Sequence, residues 1–214
     1  MSEVALREEI IATALRMNTL GLNRGKSGNV SARFGAGFLV TPTGLAYEST
    51  QPEDIVALTL DGDARGLRRP SSEWRFHRDI YARRQEVGAI VHAHAPFATS
   101  LACLGRDIPP FHYMIAVAGG KDIRCAAYAT FGTQELSDRA LEALEGRKAC
   151  LLANHGMIAV GASLATALAL AVEVEALAEQ YWRALQIGDP ILLSDAEMEV
   201  VLDKFRTYGQ PSAD

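Results

Sequence analysis

The chain has 214 residues, 49% of them hydrophobic and 22% charged, with 21 Lys+Arg against 26 Asp+Glu for a net charge of −5. That is the make-up of one globular domain able to bury roughly 70% of its unfolded surface. An acidic balance with no basic cluster excludes a nucleic-acid footprint, and the apolar run Met157 to Val172, broken early by Gly161 and Ser163, falls short of the roughly 20 residues of a membrane span. Three widely spaced cysteines cannot all pair, and Glu3, Glu8 and Glu9 stand where a secretion signal needs basic and apolar residues. The expectation is a cytoplasmic protein with one domain over 1–214 and a flexible tail after about residue 206.

Along the chain, Leu6, Ile10, Ala14 and Met17 have helical spacing and predict an amphipathic helix over Glu3–Leu20. Short strands follow at Val30–Arg33, Phe38–Thr41 and Ile55–Leu60, divided by glycine turns; residues 61–71 are polar and turn-rich. Ser71 and Ser72 stand where an N-cap belongs, ahead of a helix Glu73–Arg83. Ala89–His94 reads as a buried strand, Pro96–Leu104 as a short helix, Ile123–Ala127 as a strand and Thr133–Leu144 as a helix. Two strands, Cys150–Ala153 and Met157–Val160, are joined by Asn154-His155-Gly156. Ser163 caps a long helix to about Ile187, and Ser194 with Glu197 forms a capping box for the last. Several strands are joined by turns too short for parallel crossovers, so the chain predicts a layered α/β fold with a central, mostly antiparallel sheet flanked by helices.

Gly25-Lys26-Ser27 looks like the end of a nucleotide P-loop, but the upstream glycine would be residue 20, which is Leu20, and the segment follows a helix instead of a strand. What remains is a glycine-bracketed turn whose N–H groups and Asn29 amide either hold an anion or merely connect helix to strand. His92-Ala93-His94 is more informative, because residues i and i+2 of a strand point to one face and two imidazoles can converge there. Alone, the pair is equally consistent with core histidines. His155, in the turn between two strands, is a third candidate, and Glu73 a fourth group, although an acid at a helix start is also an ordinary dipole complement.

Residues Gly28-Asn29-Val30-Ser31, Thr41-Pro42-Thr43-Gly44, Ser71-Ser72-Glu73-Trp74, His92-Ala93-His94, His112-Tyr113-Met114, Tyr128-Ala129-Thr130-Phe131-Gly132 and Asn154-His155-Gly156 occur in this order. Together they resemble the class II aldolase/adducin family, most closely its branch acting on L-fuculose 1-phosphate. The resemblance runs from the first helix to about Tyr208. It implies His92, His94, His155 and Glu73 as ligands of a Zn2+ ion, replaceable by Co2+ or Mn2+, and Glu73 as the acid/base. It further implies a phosphate site of Gly28, Asn29, Thr43, Gly44, Ser71 and Ser72, an aldehyde pocket walled by Phe131, and Tyr113 as a proton donor reaching the site of a neighbouring subunit in a homotetramer. Taken by itself, the apolar run around Tyr113 reads equally well as a core strand.

The reaction implied is reversible cleavage of a ketose 1-phosphate, L-fuculose 1-phosphate or a related deoxyketose 1-phosphate, into dihydroxyacetone phosphate and a small aldehyde such as lactaldehyde. Lys26-Ser27 departs from the Thr-Ala of the family's loop and places a cation beside the phosphate. Two rivals belong to the same family: a pentulose-phosphate 4-epimerase, whose members carry Asp where Glu73 stands, and a non-enzymatic adducin-like domain, which lacks the ligand set.

Overall fold

The computed structural model describes residues 2–207; beyond Thr207, the expected tail and the end of the resemblance at Tyr208 lie outside the described residues. The first helix, α1 (Glu3–Thr19), is capped by the Ser2 hydroxyl, which accepts from Ala5 N at 3.2 Å, and it buries Ile10, Ala14 and Met17. Strands β1 (Asn29–Phe34), β2 (Gly37–Val40), β3 (Val56–Thr59) and β4 (Ala64–Arg65) form a meander, each antiparallel to the next. After α2 (Trp74–Arg83) come β5 (Ala89–Ala93), α3 (Pro96–Ala102), β6 (Cys125–Ala126), α4 (Gln134–Ala143), β7 (Ala149–Leu152) and β8 (Gly156–Gly161). Two helices, α5 (Leu164–Ile187) and α6 (Asp195–Phe205), close the described chain. The sheet has eight strands in the order β4-β3-β2-β1-β5-β8-β7-β6, with β6 and β7 alone in parallel.

Alternation along the strands divides the core in two. Val30, Ala32, Val91, Ala93, Leu151, Met157 and Ala159 face α1, α3, α5 and α6; Phe38, Val40, Ile90, Cys150, Leu152, Ile158 and Val160 face α2 and α4. The result is a sheet covered by helices on both faces. The expected capping box of Ser194 with Glu197 is present, and Ser163, expected as a cap, forms a second box with Thr166. No helix among the described residues is long and apolar enough to cross a membrane.

Four local expectations change. The helix predicted from Glu73 begins at Trp74, with Glu73 at the N-cap position and no side-chain cap; Ser71 Oγ accepts from Glu73 N at 3.3 Å instead of capping the helix. The apolar run at Tyr113–Ala118 is a 3-10 helix and not a core strand, burying Ile115, Ala116 and Ala118 while Tyr113 stands 52% exposed. The strand expected at Ile123–Ala127 shrinks to β6, Ile123 making a lone bridge to Ile108. The turn-rich stretch after Leu60 contains the short edge strand β4.

Candidate active site

The cluster begins with register. Asn29 opens β1 directly opposite His92 near the end of β5, so both side chains lie on the α2 face of the sheet. His92 is fully buried, and its Nδ1 lies 2.9 Å from the Met157 carbonyl. Nδ1 therefore donates to that carbonyl, and the ring is held with Nε2 facing the site. His94 follows two residues on, its Nε2 3.2 Å from that of His92.

His155 arrives from the turn between β7 and β8. Asn154 takes the left-handed conformation there at φ 56°, and its N–H donates to the Ala102 carbonyl at 3.1 Å. Gly156 then lets β8 press against β5, since a Cβ at that position would stand 2.4 Å from the Ala93 carbonyl oxygen. Glu73 comes from the other direction, at the start of α2. Its Oε2 lies 3.1 Å from His92 Nε2 and accepts from Asn29 Nδ2 at 2.9 Å. Its Oε1 lies 3.0 Å from His155 Nε2 but is buried without a hydrogen-bond partner. One ligand atom from each of Glu73, His92, His94 and His155 falls within 4.8 Å of every other.

Charge suits this cluster to a divalent ion. Burial alone would raise the Glu73 carboxyl, but the imidazoles of His92 and His155 outweigh it and hold the group well below the usual carboxylate range. Burial, reinforced by His92 and His155, pushes His94 down to about 4, leaving it neutral near pH 7. Three imidazole nitrogens and one carboxylate form a donor set that Zn2+ favours.

Beside the cluster opens a cavity of about 330 Å³. Gly28, Asn29, Thr43, Gly44, Ser71 and Ser72 form one side; Glu73, His94 and His155 form another; Phe131 stands on its rim. Backbone bonds from Thr43 N to the Arg69 carbonyl (3.1 Å) and from Ser71 N to the Thr41 carbonyl (3.0 Å) hold two of these segments side by side. The third is fixed by Asn23, whose amide donates to the Ser27 carbonyl at 2.8 Å and accepts from His94 N at 2.7 Å, and by the Tyr47 hydroxyl, which donates to the Gly28 carbonyl at 2.8 Å.

The family model described as "Class II Aldolase and Adducin N-terminal domain" matches residues 8–182. The chain belongs to the class II aldolase and adducin family. This aldolase is 62% identical to the 5-methylthioribulose-1-phosphate/5-deoxyribulose-1-phosphate aldolase of Rhodospirillum rubrum, over 97% of this chain and 94% of that one. It is 50% identical to the L-fuculose phosphate aldolase of Escherichia coli, over 98% of each. A solved L-fuculose 1-phosphate aldolase superposes with a TM-score of 0.92 at 41% identity, covering 94% of this chain and 96% of that one. Class II aldolases are lyases and metal-dependent, which agrees with the donor set of this aldolase.

Of the residues expected from sequence, the structure gathers all but Tyr113 at one site. Tyr113 is not among the lining residues of the cavity and faces outward from its 3-10 turn. Tyr128 and Asn154 line the cavity without having been assigned a role there, and Lys26 lines it as well. Lys26 Nζ donates to the Gly44 carbonyl at 3.1 Å, so the cation flagged by the loop's departure sits at the mouth of the site. The positioning groups Asn23 and Tyr47 had no sequence signal, since each acts on a carbonyl or amide whose approach only the fold defines.

Proposed function

We propose that this aldolase reversibly cleaves a ketose 1-phosphate into dihydroxyacetone phosphate and a small aldehyde, using Zn2+. The observation that carries the reading is the position of Glu73, whose carboxylate joins the three-imidazole cluster and also faces a cavity walled by backbone amides and hydroxyls suited to phosphate. Breaking a carbon–carbon bond beside a carbonyl leaves an electron pair that must be delocalised onto oxygen. Glu73, His92, His94 and His155 would hold the ion, which when bound supplies Lewis acidity to carbonyl and hydroxyl oxygens, with Co2+ or Mn2+ as replacements.

The chain's own groups do the rest. Glu73 is the carboxylate placed to take and return a proton. Gly28, Asn29, Thr43, Gly44, Ser71 and Ser72 bind the phosphate through neutral donors. Phe131 walls the aldehyde half. Tyr113, exposed and outside the lining of its own cavity, donates a proton in a neighbour's site within a homotetramer. The whole of 1–214 acts as one such domain in the cytoplasm.

The candidate ketoses differ only at the aldehyde end. The Rhodospirillum rubrum relative supports 5-deoxyribulose 1-phosphate or its methylthio analogue, and the two fuculose phosphate aldolases support L-fuculose 1-phosphate. One methylene is worth about 1–3 kcal/mol of discrimination. Condensing dihydroxyacetone phosphate with lactaldehyde, acetaldehyde and methylthioacetaldehyde, with and without chelator, tests both levels. Metal-dependent bond formation with at least one aldehyde is expected, and kcat/KM ranks the three. No condensation with any, or full activity in a metal-free sample, overturns the proposal.

A further inference from the structure

From Glu73 and Asn29 a row of buried polar groups leads back to Ser31, His77 and Tyr81, three residues that do not line the cavity and that the reaction has not yet used. Glu73, His77 and Tyr81 recur at intervals of four residues and so share one side of α2. Asn29 and Ser31, two residues apart on β1, share the face of the sheet that α2 covers. Packing interleaves the two series. Tyr81 Oη lies 2.8 Å from Ser31 Oγ, Ser31 Oγ lies 2.7 Å from His77 Nδ1, His77 Nε2 lies 2.5 Å from Asn29 Oδ1, and Asn29 Nδ2 lies 2.9 Å from Glu73 Oε2. Ser31, His77 and Tyr81 are wholly buried, and Asn29 is nearly so.

The protons in this row have one self-consistent arrangement. A carboxylate accepts only, so the Asn29 NH2 must face Glu73 and its carbonyl oxygen must face His77. His77 therefore donates from Nε2. A neutral ring then has a bare Nδ1, which accepts from the Ser31 hydroxyl, whose oxygen in turn accepts from Tyr81. Every hydrogen bond donates toward Glu73. Burial, with the charge of His92 adding to it, pushes His77 down to about 3, which keeps it in this neutral form.

We propose that His77 is a positioning residue for the aldol reaction, locking the Asn29 amide so that it presents N–H groups and never its oxygen to Glu73 and the cavity. Without the His77 donor the amide can turn over, setting oxygen against a carboxylate and releasing Oε2. With it, Glu73 is held by Oε2, and Oε1 stays turned toward His155. The inference rests on Glu73 being the acid/base.

The test compares His77→Phe, which keeps the ring and deletes both hydrogen bonds, with His77→Gln, whose amide nitrogen can replace Nε2 as donor to Asn29. The readouts are proton exchange on dihydroxyacetone phosphate, Zn2+ affinity, and nitrogen NMR of His77 in the full wild-type chain. A hydrogen bond to a charged group corresponds to about tenfold to a hundredfold in rate. His77→Phe should lose about that much exchange at little cost in Zn2+ affinity, and His77→Gln should recover most of it. The spectrum should show the neutral Nε2-protonated tautomer throughout about pH 5 to 8, where an ordinary histidine changes charge. Wild-type exchange in His77→Phe, a loss as large in folded His77→Gln, or a proton found on Nδ1 overturns the proposal, and the spectrum decides it if His77→Phe does not fold. If the wild-type protein exchanges no proton at all, the aldolase reading falls and this role of His77 with it, whatever the tautomer.

Discussion

Replacing Gly28 by Ala should damage the site and the fold together, by an amount that the structure allows to be worked out. Gly28 has φ 74°, and a Cβ there would stand 2.5 Å from the backbone oxygen of His92 and 2.4 Å from Asn23 Nδ2. The left-handed conformation costs a residue with a Cβ about 1–2 kcal/mol. Overpacking adds about 1–3 kcal/mol, because the His92 carbonyl belongs to a central strand and cannot retreat. Gly35→Ala is the control: φ is 55° with nothing within 4 Å, so only the torsional cost applies. In a domain of this size each kcal/mol moves Tm by about 2–4 °C. Gly28→Ala should therefore melt roughly 4–20 °C below wild type, and Gly35→Ala only about 2–8 °C below. The easiest relief is for the Asn23 amide to swing away, which breaks its bonds to the Ser27 carbonyl and His94 N. Gly28→Ala should then also raise KM for the phosphorylated ketose and weaken Zn2+ binding in equilibrium dialysis, neither of which Gly35→Ala should do. Equal Tm losses in the two variants, or an unchanged KM in Gly28→Ala, would refute the close approach as the reason for this glycine.

Glu73→Gln should keep the metal through the three imidazoles but slow deuterium exchange into dihydroxyacetone phosphate by roughly 10²-fold or more; wild-type exchange would remove Glu73 from the role of base. Ser72→Ala should raise KM for a phosphorylated ketose by about tenfold, one hydrogen bond to a charged group, and leave the unphosphorylated sugar unaffected; equal losses would place the phosphate elsewhere. Tyr113→Phe and Glu73→Gln, each impaired alone, should partly restore activity when dissociated and reassociated together, and no recovery after confirmed subunit exchange would deny Tyr113 a part in a neighbour's site. Acid should unfold the protein partly through His77, which binds a proton at about 3 when folded against 6.5 in its ordinary state. Between those values the unfolded chain holds the extra proton, so stability falls as pH falls from about 6.5, by roughly 4–5 kcal/mol in all. His77→Gln should flatten that part of the Tm–pH curve, and an unchanged slope would assign the acid sensitivity to other groups.

The helices and central strands were legible where one local rule governed them. Ser163 and Ser194 announce helix starts because each bonds a backbone N–H three residues on, a relation contained within one turn. His92 and His94 were legible as a pair because a strand fixes which side chains share a face. Local rules fail at Tyr113–Ala118, where an apolar run reads as a strand but coils with a period near three, burying Ile115 and Ala118 and exposing Tyr113. They fail at β4, whose two exposed residues carry no hydrophobic alternation. At Glu73 the helix rule places an acid in the first turn, yet the side chain turns to imidazoles that arrive from β5 and the β7–β8 turn. His77 was illegible for the same reason: its partners, Asn29 and Ser31, are 48 and 46 residues away in the chain.

The pairing of β1 with β5 is also a seam. On one side lies the meander β1 to β4, and on the other β5, β8, β7 and β6. Asn29 and His92 meet across it from opposite halves. Closing so long a loop is an entropic hurdle that precedes the contacts which reward it. Neither half can hold a competent centre before the two join, so during refolding the return of catalysis should trail the return of helical signal. Aldol cleavage thus serves as a clock for the last long-range step of folding.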